Sequence, residues 1–413
     1  MRVLHLHYYG YSGGAGGTVT FRRLHLGLRQ AGIDSRILCA RKTTNSPHIK
    51  QFRPSRFMRV LDARLDKFAG ALGLRGLAGM GSFGIGRHPE FTRADVVHIH
   101  RMFEFISYLA LPTLTRRKPV VLTVHDTWAF TGHCYVTLDC ERWKTGCGRC
   151  PHLDIEPVVR RDNTRLEWSL KNWAYSRSKL VTIAPSRDVA ERVKQGILGQ
   201  FPVYHIPNGI DTERYQPVDR VQCRSVLGIP QDKKVVLFAA QSAGNYVKGG
   251  DLLVRALQSL PSLVKANVVL LIFGKNGDSL GRQIDIPFID LGFLSNERLK
   301  IMAFSCADVF LFPTRGEAFG NVSLESMACG TPVVSFRVGG VPDQVLHGAT
   351  GYLAEPEDVK GFRHGILELL DDDALRQRMR ENCRKVAVEK FDIRSVAKRH
   401  IELYEQLRTR SSR

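Results

Sequence analysis

The chain has 413 residues, of which 43% are apolar, 9% aromatic and 24% charged, a composition that excludes general disorder and predicts two or three globular domains. Its 60 Lys and Arg against 40 Asp and Glu give a net charge of +20, and residues 1–200 hold 32 basic but only 15 acidic side chains. The N-terminal half should therefore meet an anionic partner such as lipid, a phosphorylated carrier or nucleic acid.

The N-terminal segment MRVLHLHYYG has no continuous apolar stretch of signal-peptide type and is interpreted as a buried first strand. No apolar run approaches the ~20 residues that a spanning helix needs. Nine cysteines, an odd count, favour a reducing compartment without a disulfide framework. We therefore expect a cytoplasmic protein, with peripheral association at the inner membrane face as a further hypothesis.

Short apolar segments alternate with helical patterns along the whole chain, which is typical of parallel sheets covered on both faces. The predicted strands are Val3–His7, Ser35–Cys39, Asp95–Ile99, Val120–Val124, Lys179–Ala184, Val203–Ile206, Lys234–Ala239, Val268–Phe273, Val309–Phe312 and Pro332–Phe336. Two such series predict two doubly wound domains, with a boundary in the turn-rich stretch Ile206–Pro217. Apolar residues at helical spacing predict a final helix over Arg394–Leu407.

Five small residues, Gly13–Gly17, follow the first strand and precede a predicted helix over Thr18–Gly32. Glycines let the backbone approach a diphosphate, and a helix start supplies N–H donors. The spacing fits a dinucleotide fingerprint poorly, and no acidic residue ends the strand Ser35–Cys39, so NAD binding is disfavoured. We interpret Gly13–Gly17 as a phosphate loop, with a flexible turn as the alternative.

A helical stripe of apolar residues with a basic rim follows in the N-terminal half. The stripe comprises Phe57, Leu61, Leu65, Phe68 and Leu72, and the rim comprises Arg53, Arg56, Arg59, Arg64 and Lys67. This composition fits an interfacial helix on an anionic membrane. The competing and favoured interpretation is a helix that packs its stripe on the N-terminal sheet.

Four cysteines are clustered within residues 132–153. Cys147 and Cys150 have the spacing of a metal-binding knuckle, and Cys134 and Cys140 would complete a tetrahedral zinc site. The alternative ligands are His133 and His152. The C-x₅-C spacing is not that of a standard knuckle, so four reduced thiols in a loop are the alternative to a structural zinc ion.

The loop QSAGNYVKGG, residues 241–250, follows the predicted strand Lys234–Ala239. Lys248 could reach a diphosphate from the start of the next helix, although a solvated lysine is the simpler interpretation.

The most informative stretch is FPTRGEAFGNVSLESMACGTPVVSFRVGGV, residues 312–341. A proline and a glycine before Glu317 place it in a loop, and the next helix should begin near Asn321–Ser323, end before Gly330 and carry Glu325 in its first turn. Backbone N–H groups at this helix start could bind an anion or sugar hydroxyls. They belong to Phe319, Gly320, Asn321 and Val322. The alternative is that Glu325 caps its own helix and Glu317 is solvated.

Together these loops resemble the retaining, nucleotide-sugar-dependent glycosyltransferases of sequence family four, which have the GT-B fold. The resemblance covers essentially the whole chain. It rests on GGAGG at 13–17, TVHDTW at 123–128, IPNGIDTERYQP at 206–217, the Lys248-Gly249 loop and EAFGNVSLESMACGTPVV at 317–334. The last segment, followed by VGGVPDQV at 338–345, is specific.

The resemblance implies two facing Rossmann-like domains with an interdomain cleft. An acceptor-side domain would span residues 1–205 and a nucleotide-sugar domain 206–392, and a helix in 393–413 would return to the first domain. The implied donor-binding residues are Gly16, Gly17, Gln241, Lys248, Phe319, Gly320, Asn321, Val322 and Glu325. Of these, Glu325 would hold the ribose, and Gln241 stands where the family usually has an arginine, a loss that Arg315 or Arg337 could offset.

The implied catalytic residues are Glu317, at the transferred sugar, Lys248, at the leaving diphosphate, and His125. His125 ends the strand Val120–Val124 and matches the family's cleft histidine, which lies near the transferred sugar. A histidine merely satisfied at a strand end is the alternative.

The implied activity is transfer of a hexose from a nucleotide-diphosphate sugar to a glycan or lipid-linked acceptor in polysaccharide biosynthesis, with no metal or other cofactor required for chemistry. The alternatives are a nucleotide-sugar epimerase of similar fold and a non-catalytic basic protein that binds nucleic acid or membrane. Nucleic acid is disfavoured because the basic half shows no recognition motif.

Overall fold

The computed structural model describes residues 1–10, 16–74, 77 and 79–411. These residues form two compact units, one made of Met1–Gly209 with the C-terminal segment from Ile393, the other of Ile210–Asp392. The division after Gly209 lies four residues beyond the boundary expected after residue 205. Each unit is built on one parallel sheet, as the apolar strands of the sequence predict.

The first unit contains a seven-stranded sheet in the order β3-β2-β1-β4-β5-β6-β7. Its strands are β1 (Arg2–Tyr9), β2 (Asp34–Arg41), β3 (Ile49–Gln51), β4 (Val96–Ile99), β5 (Val120–Thr123), β6 (Leu180–Ala184) and β7 (Val203–His205). Its first helices are α1 (Gly16–Gln30), α2 (Arg56–Ala71), α3 (Pro89–Thr92), α4 (Leu111–Thr115), α5 (Thr164–Tyr175) and α6 (Arg187–Gln195). The order of strands reverses between β1 and β4.

The second unit contains a six-stranded sheet in the order β10-β9-β8-β11-β12-β13. Its strands are β8 (Lys234–Ser242), β9 (Val268–Lys275), β10 (Phe288–Asp290), β11 (Val309–Phe312), β12 (Val333–Phe336) and β13 (Gly351–Ala354). Its helices are α7 (Arg220–Val226), α8 (Gly250–Gln258), α9 (Ser262–Ala266), α10 (Gly277–Gly281), α11 (Glu297–Cys306), α12 (Asn321–Ala328), α13 (Val359–Asp371) and α14 (Asp373–Phe391). Here the order reverses between β8 and β11.

The last helix, α15 (Ile393–Ser411), belongs to the first unit. Its buried residues Val396, Ala397 and Tyr404 pack in one cluster with Val3 of β1 and Val96 of β4. This is the apolar stripe that the sequence shows at helical spacing.

Strand β8 explains why the strands of the second unit are apolar throughout. Val235 and Leu237 point into one buried cluster, and the alternate residues Val236 and Phe238 point into another on the opposite face. Because helices cover both faces of the sheet, apolar and polar residues do not alternate along the strand. Ligands of such sheets bind outside the carboxyl ends of the strands, where the strand order reverses.

Candidate functional site

The loop carrying Lys248 follows β8 and is fixed against the loop that follows β11. Gly249 has a φ of 68°, and a Cβ atom there would lie 1.8 Å from the Pro313 carbonyl oxygen. The Val247 carbonyl accepts from the Thr314 hydroxyl at 3.0 Å and from the Arg315 N–H at 2.8 Å. Packing therefore requires a glycine at position 249, since only glycine allows this approach.

Lys248 and Glu317 form an ion pair at this strand edge, with 2.7 Å between the Lys248 Nζ and the Glu317 Oε1 atoms. Both side chains remain partly accessible, at 26% and 19%. The loop after β12 holds the Glu317 backbone, because Gly340 donates to its carbonyl at 2.9 Å and a Cβ on Gly339 would lie 2.0 Å from that oxygen. Three adjacent strands thus position one accessible charge pair.

The next helix, α12, begins at Asn321, where the sequence predicts it. Gly320 is its N-cap with a φ of 94°, a conformation suited to glycine. The preceding turn is held by the buried Gln344, whose Nε2 donates to the Phe319 carbonyl and whose Oε1 accepts from the Ser323 hydroxyl at 2.9 Å. The first N–H groups of the helix consequently point out of a rigid start.

Glu325 lies just beyond the first turn of α12. The sequence places it in the first turn, but it is the fifth residue of the helix and no acidic residue occupies the first turn. At 3.6 residues per turn it begins the second turn, and the N-cap of the helix is Gly320. Glu325 is 5% exposed, and helical side chains lean toward the N-terminus.

Gln241 lies exposed at the carboxyl end of β8. Arg315 is not placed to replace the missing arginine. Its guanidinium donates to both Asp251 oxygens at 2.7 and 2.6 Å and to Glu357 at 3.1 Å, and these carboxylates raise the pKa of Arg315. Arg337 lies 3.4 Å from Glu355 and is 46% exposed.

In the first unit, α1 begins at Gly16, two residues before the expected start. Gly13, Gly14 and Ala15 of the predicted phosphate loop lie outside the described residues. A Cβ atom on Gly17 would lie 3.8 Å from the His125 ring. The start of α1 and the end of β5 therefore meet at one point of the sheet edge.

His125 is the outer member of a chain of three histidines from adjacent strands. Its Nε2 lies 3.1 Å from the Nδ1 of His100, which follows β4, and the Nε2 of His100 lies 2.8 Å from the Nδ1 of His5 on β1. Burial lowers the pKa of His125 to about 3 and the pKa values of His5 and His100 well below their usual value. All three rings are neutral at physiological pH, and His100 fixes the orientation of His125.

His98 lies beside these three histidines and forms a cluster with them, but its own contacts are those of a core residue. Its Nδ1 lies 2.6 Å from the Tyr404 hydroxyl and its Nε2 lies 2.6 Å from the Thr123 hydroxyl. Ring nitrogens of His5, His98 and His100 lie within 4.8 Å of one another, yet those of His98 are both satisfied by hydroxyl groups. Histidines in otherwise apolar strands were the one sequence signal of this cluster.

Helix α2 differs from the favoured interpretation of the sequence. Phe57 and Phe68 of the predicted stripe are 75% and 66% exposed, and Ala69 is the only buried residue of this helix. Its basic rim is exposed as well. The expectation that the stripe packs on the sheet is wrong for both phenylalanines. No described helix is long and apolar enough to cross a bilayer.

Two Rossmann-like units with polar loops at their strand-order reversals are the architecture of the GT-B fold. Residues 219–386 match the family model described as Glycosyl transferases group 1, and residues 14–214 match Glycosyltransferase Family 4. The chain therefore belongs to the family-four glycosyltransferases of GT-B fold.

Named relatives share this assignment. N-acetyl-α-D-glucosaminyl L-malate synthase from Bacillus anthracis is 25% identical over 314 residues, which are 75% of this chain and 74% of that protein. D-inositol 3-phosphate glycosyltransferase 1 from Catenulispora acidiphila is 34% identical over 186 residues, which are 42% of this chain and 44% of that enzyme. The match with this second relative thus spans less than half of its length.

Among solved structures, Anabaena Alr3699/HepE in complex with UDP-glucose has the same fold. It has a TM-score of 0.70 at 18% identity, covering 98% of this chain and 100% of that chain.

Proposed function

We propose that this protein is a retaining glycosyltransferase that moves a hexose from a nucleotide-diphosphate sugar to a glycan or lipid-linked acceptor in cell-envelope polysaccharide biosynthesis. The observation that carries the proposal is the 2.7 Å pair of Lys248 and Glu317, located at the strand-order reversal beside the start of α12. A cation, a carboxylate and outward N–H groups suit a sugar attached to a diphosphate. HepE, which has the same fold, was crystallised with UDP-glucose.

Different residues of the second unit would bind different parts of the nucleotide-sugar donor. Lys248 would neutralise the diphosphate, and a diphosphate bound there would share this ammonium group with Glu317. Backbone N–H groups of Phe319, Gly320 and the first residues of α12 would bind sugar hydroxyls or phosphate oxygens. Glu325, which is buried, would accept from the ribose hydroxyls.

Retention without a dedicated nucleophile implies attack from the face on which the diphosphate leaves. The acceptor oxygen forms a bond to the anomeric carbon, the bond from that carbon to the diphosphate oxygen breaks, and the diphosphate takes the acceptor's proton. Negative charge grows on the diphosphate during this step, so Lys248 stabilises the transition state more than the ground state. In the first unit, we assign the catalytic role to the neutral His125, with Gly16 and Gly17 beside it at the same edge.

Glu325→Ala is expected to weaken donor binding roughly 10–100-fold, because it removes hydrogen bonds to a charged acceptor worth about 1.5–3 kcal/mol. The measurement is a thermal-shift titration with UDP-glucose, UDP-GlcNAc, GDP-mannose, GDP-fucose and ADP-glucose, since a ligand of the native state raises Tm. Turnover of the stabilising donor is then followed by product analysis.

The matched control is Glu389→Ala, which removes an exposed carboxylate from α14. Residue 389 is distant in sequence from the loops that carry Lys248 and Glu317. This substitution should leave donor binding unchanged. Conversion of the sugar nucleotide to its epimer without any acceptor would establish the epimerase instead. No shift with any sugar nucleotide, together with binding to an oligonucleotide, would overturn the proposal in favour of a non-catalytic basic protein.

A lipid-linked acceptor would bring the enzyme to an anionic membrane, and α2 has the matching chemistry. It exposes Phe57 and Phe68 between basic side chains, as interfacial helices do. The double substitution Phe57→Ser with Phe68→Ser is expected to abolish sedimentation with vesicles containing phosphatidylglycerol.

The control for this experiment is Leu263→Ser, which removes a 78% exposed side chain from the second unit. Its sedimentation should match the unsubstituted protein, and added salt should weaken binding because charge contributes to it. Equal sedimentation of the phenylalanine variant and the control would exclude α2 as the membrane contact.

A further inference from the structure

The cysteine-rich segment between the helical turn Thr127–Phe130 and α5 has little regular structure to stabilise it. Residues 131–163 contain one short helical turn, Arg142–Lys144, and no strand. A segment of this length without elements is uncommon in a compact domain unless something else fixes it. Buried residues of the segment include His133 and Trp143, so it folds onto itself instead of extending into solvent.

The four cysteines of this segment converge on one cavity. Cys134, Cys140, Cys147 and Cys150 all line it, together with His133, and it has room for about one water-sized sphere. The ligand atoms of His133, Cys134 and Cys150 lie within 4.8 Å of one another. None of the four thiols forms a disulfide. Four soft donors around a space the size of one ion favour zinc coordination.

The turn Cys147–Cys150 is tight and brings its two cysteines to the same cavity. Three successive residues have left-handed φ values, 47° at Cys147, 88° at Gly148 and 48° at Arg149. The side chain of Thr164 accepts from the Gly148 N–H at 2.9 Å, and that of Asp162 accepts from the Cys150 N–H at 2.6 Å. The rest of the unit therefore holds the two cysteines on one side of the turn.

The groups around the sulfurs resemble the outer hydrogen bonds of metal sites. The Gly132 N–H donates to the Cys147 sulfur at 3.2 Å. The His133 ring bridges two groups, with its Nε2 3.2 Å from the Cys150 sulfur and its Nδ1 3.2 Å from the Pro157 carbonyl. His152, the other candidate, is directed away and lies 2.8 Å from Asp139. Such partners orient thiolate ligands and partly neutralise their charge.

We propose that Cys134, Cys140, Cys147 and Cys150 bind one structural Zn²⁺ ion that fixes residues 131–163 on the first unit. Four thiolates close the tetrahedral shell and leave no position for a substrate, so the ion has no part in the glycosyl transfer. At a Zn–S distance of about 2.3 Å, neighbouring sulfurs are about 3.8 Å apart, so Cys140 and Cys147, which line the same cavity, would close in on Cys134 and Cys150 when the ion binds. Four cysteines already complete the shell, so we assign His133 a place outside it, in contact with the Cys150 sulfur.

The test is the metal content of the protein purified without added metal, measured by inductively coupled plasma mass spectrometry. We expect about one zinc per chain, lost in Cys147→Ser and Cys150→Ser and kept in Cys39→Ser, which alters a buried cysteine of the same unit outside the cluster. Cobalt exchanged for zinc in the unsubstituted protein should show thiolate-to-metal charge transfer, so folding of a variant is not required.

Two results would overturn the proposal. One is a protein without zinc whose titration with Co²⁺ gives no charge-transfer band. The other is loss of zinc in His133→Ala with retention in Cys140→Ser, which would make the ligand set three cysteines and a histidine. Since the metal content is read without an activity assay, either result leaves the proposed transferase function to its own test.

Discussion

Glu317→Gln and Lys248→Met are each expected to reduce kcat by about 10²–10³-fold while changing the donor KM much less. Each variant removes one charge from the pair at the carboxyl ends of β8 and β11, whose atoms lie 2.7 Å apart. Loss of one preorganised group that stabilises transition-state charge has effects of this size. The measurement is the initial rate at saturating acceptor over a range of donor concentrations.

The double variant Glu317→Gln with Lys248→Met shows whether the two side chains act together or independently. Groups that act as a unit are not additive, so the combined substitution should cost little more than the worse single one. Lys265→Met is the control, because it breaks an ion pair of similar length, 2.8 Å to Asp285, beside the amino end of β9. If both single variants kept the kinetics of this control, the active site would lie elsewhere.

Acidification from pH 7.5 to pH 5.0 is expected to destabilise the first unit strongly. Burial lowers the pKa values of His7, His25 and His400 to about 4, against about 6.5 in an unfolded chain. Above pH 6.5 these rings are neutral in both states. Below it the unfolded chain takes up protons that the native state cannot, so the free energy of unfolding falls until about pH 4.

At pH 5 the loss is up to about 2 kcal/mol for each such histidine, at 1.36 kcal/mol per pH unit. Three of them approach the total stability of an ordinary domain. The measurement is urea unfolding across this pH range. His25→Gln should be less stable at pH 7.5, because it loses packing and the 2.7 Å contact with Ser35, but its stability should depend less steeply on pH.

His364→Asn provides the comparison, since its side chain is 69% exposed and it lies in the second unit. The substitution should leave the pH dependence unchanged. A flat stability profile between pH 7.5 and 5.0 in the unsubstituted protein would show that His7, His25 and His400 are hydrated and protonate in the native state.

The central strands of both sheets could be predicted from the sequence, as could β7 at one outer end, whereas the three other end strands were missed. β8, β9 and β11 are continuous apolar runs because helices cover both of their faces. β3, β10 and β13 have three or four residues each and lie at an outer end of their sheet. Each of these three strands has one neighbour and little apolar patterning, so local sequence did not distinguish them from loops.

Part of the candidate site could also be predicted from local sequence. Glycines, a proline and the helix start mark the loops of Lys248 and Glu317 individually. Their pairing across 69 positions follows from the strand order, which puts β8 beside β11. The engagement of Arg315 by Asp251 depends on packing that no local pattern encodes.

The sequence by itself determined the fold class, the family, the loops at the strand ends and the asymmetry of charge between the halves. These are properties of local composition, periodicity and contiguous motifs. Only the tertiary structure decided that His5, His100 and His125 form a chain, that His133 and not His152 joins the cysteines, and that Phe57 and Phe68 of α2 are exposed. Each of these depends on which distant segments come together, because side-chain burial and pairing are set by long-range packing.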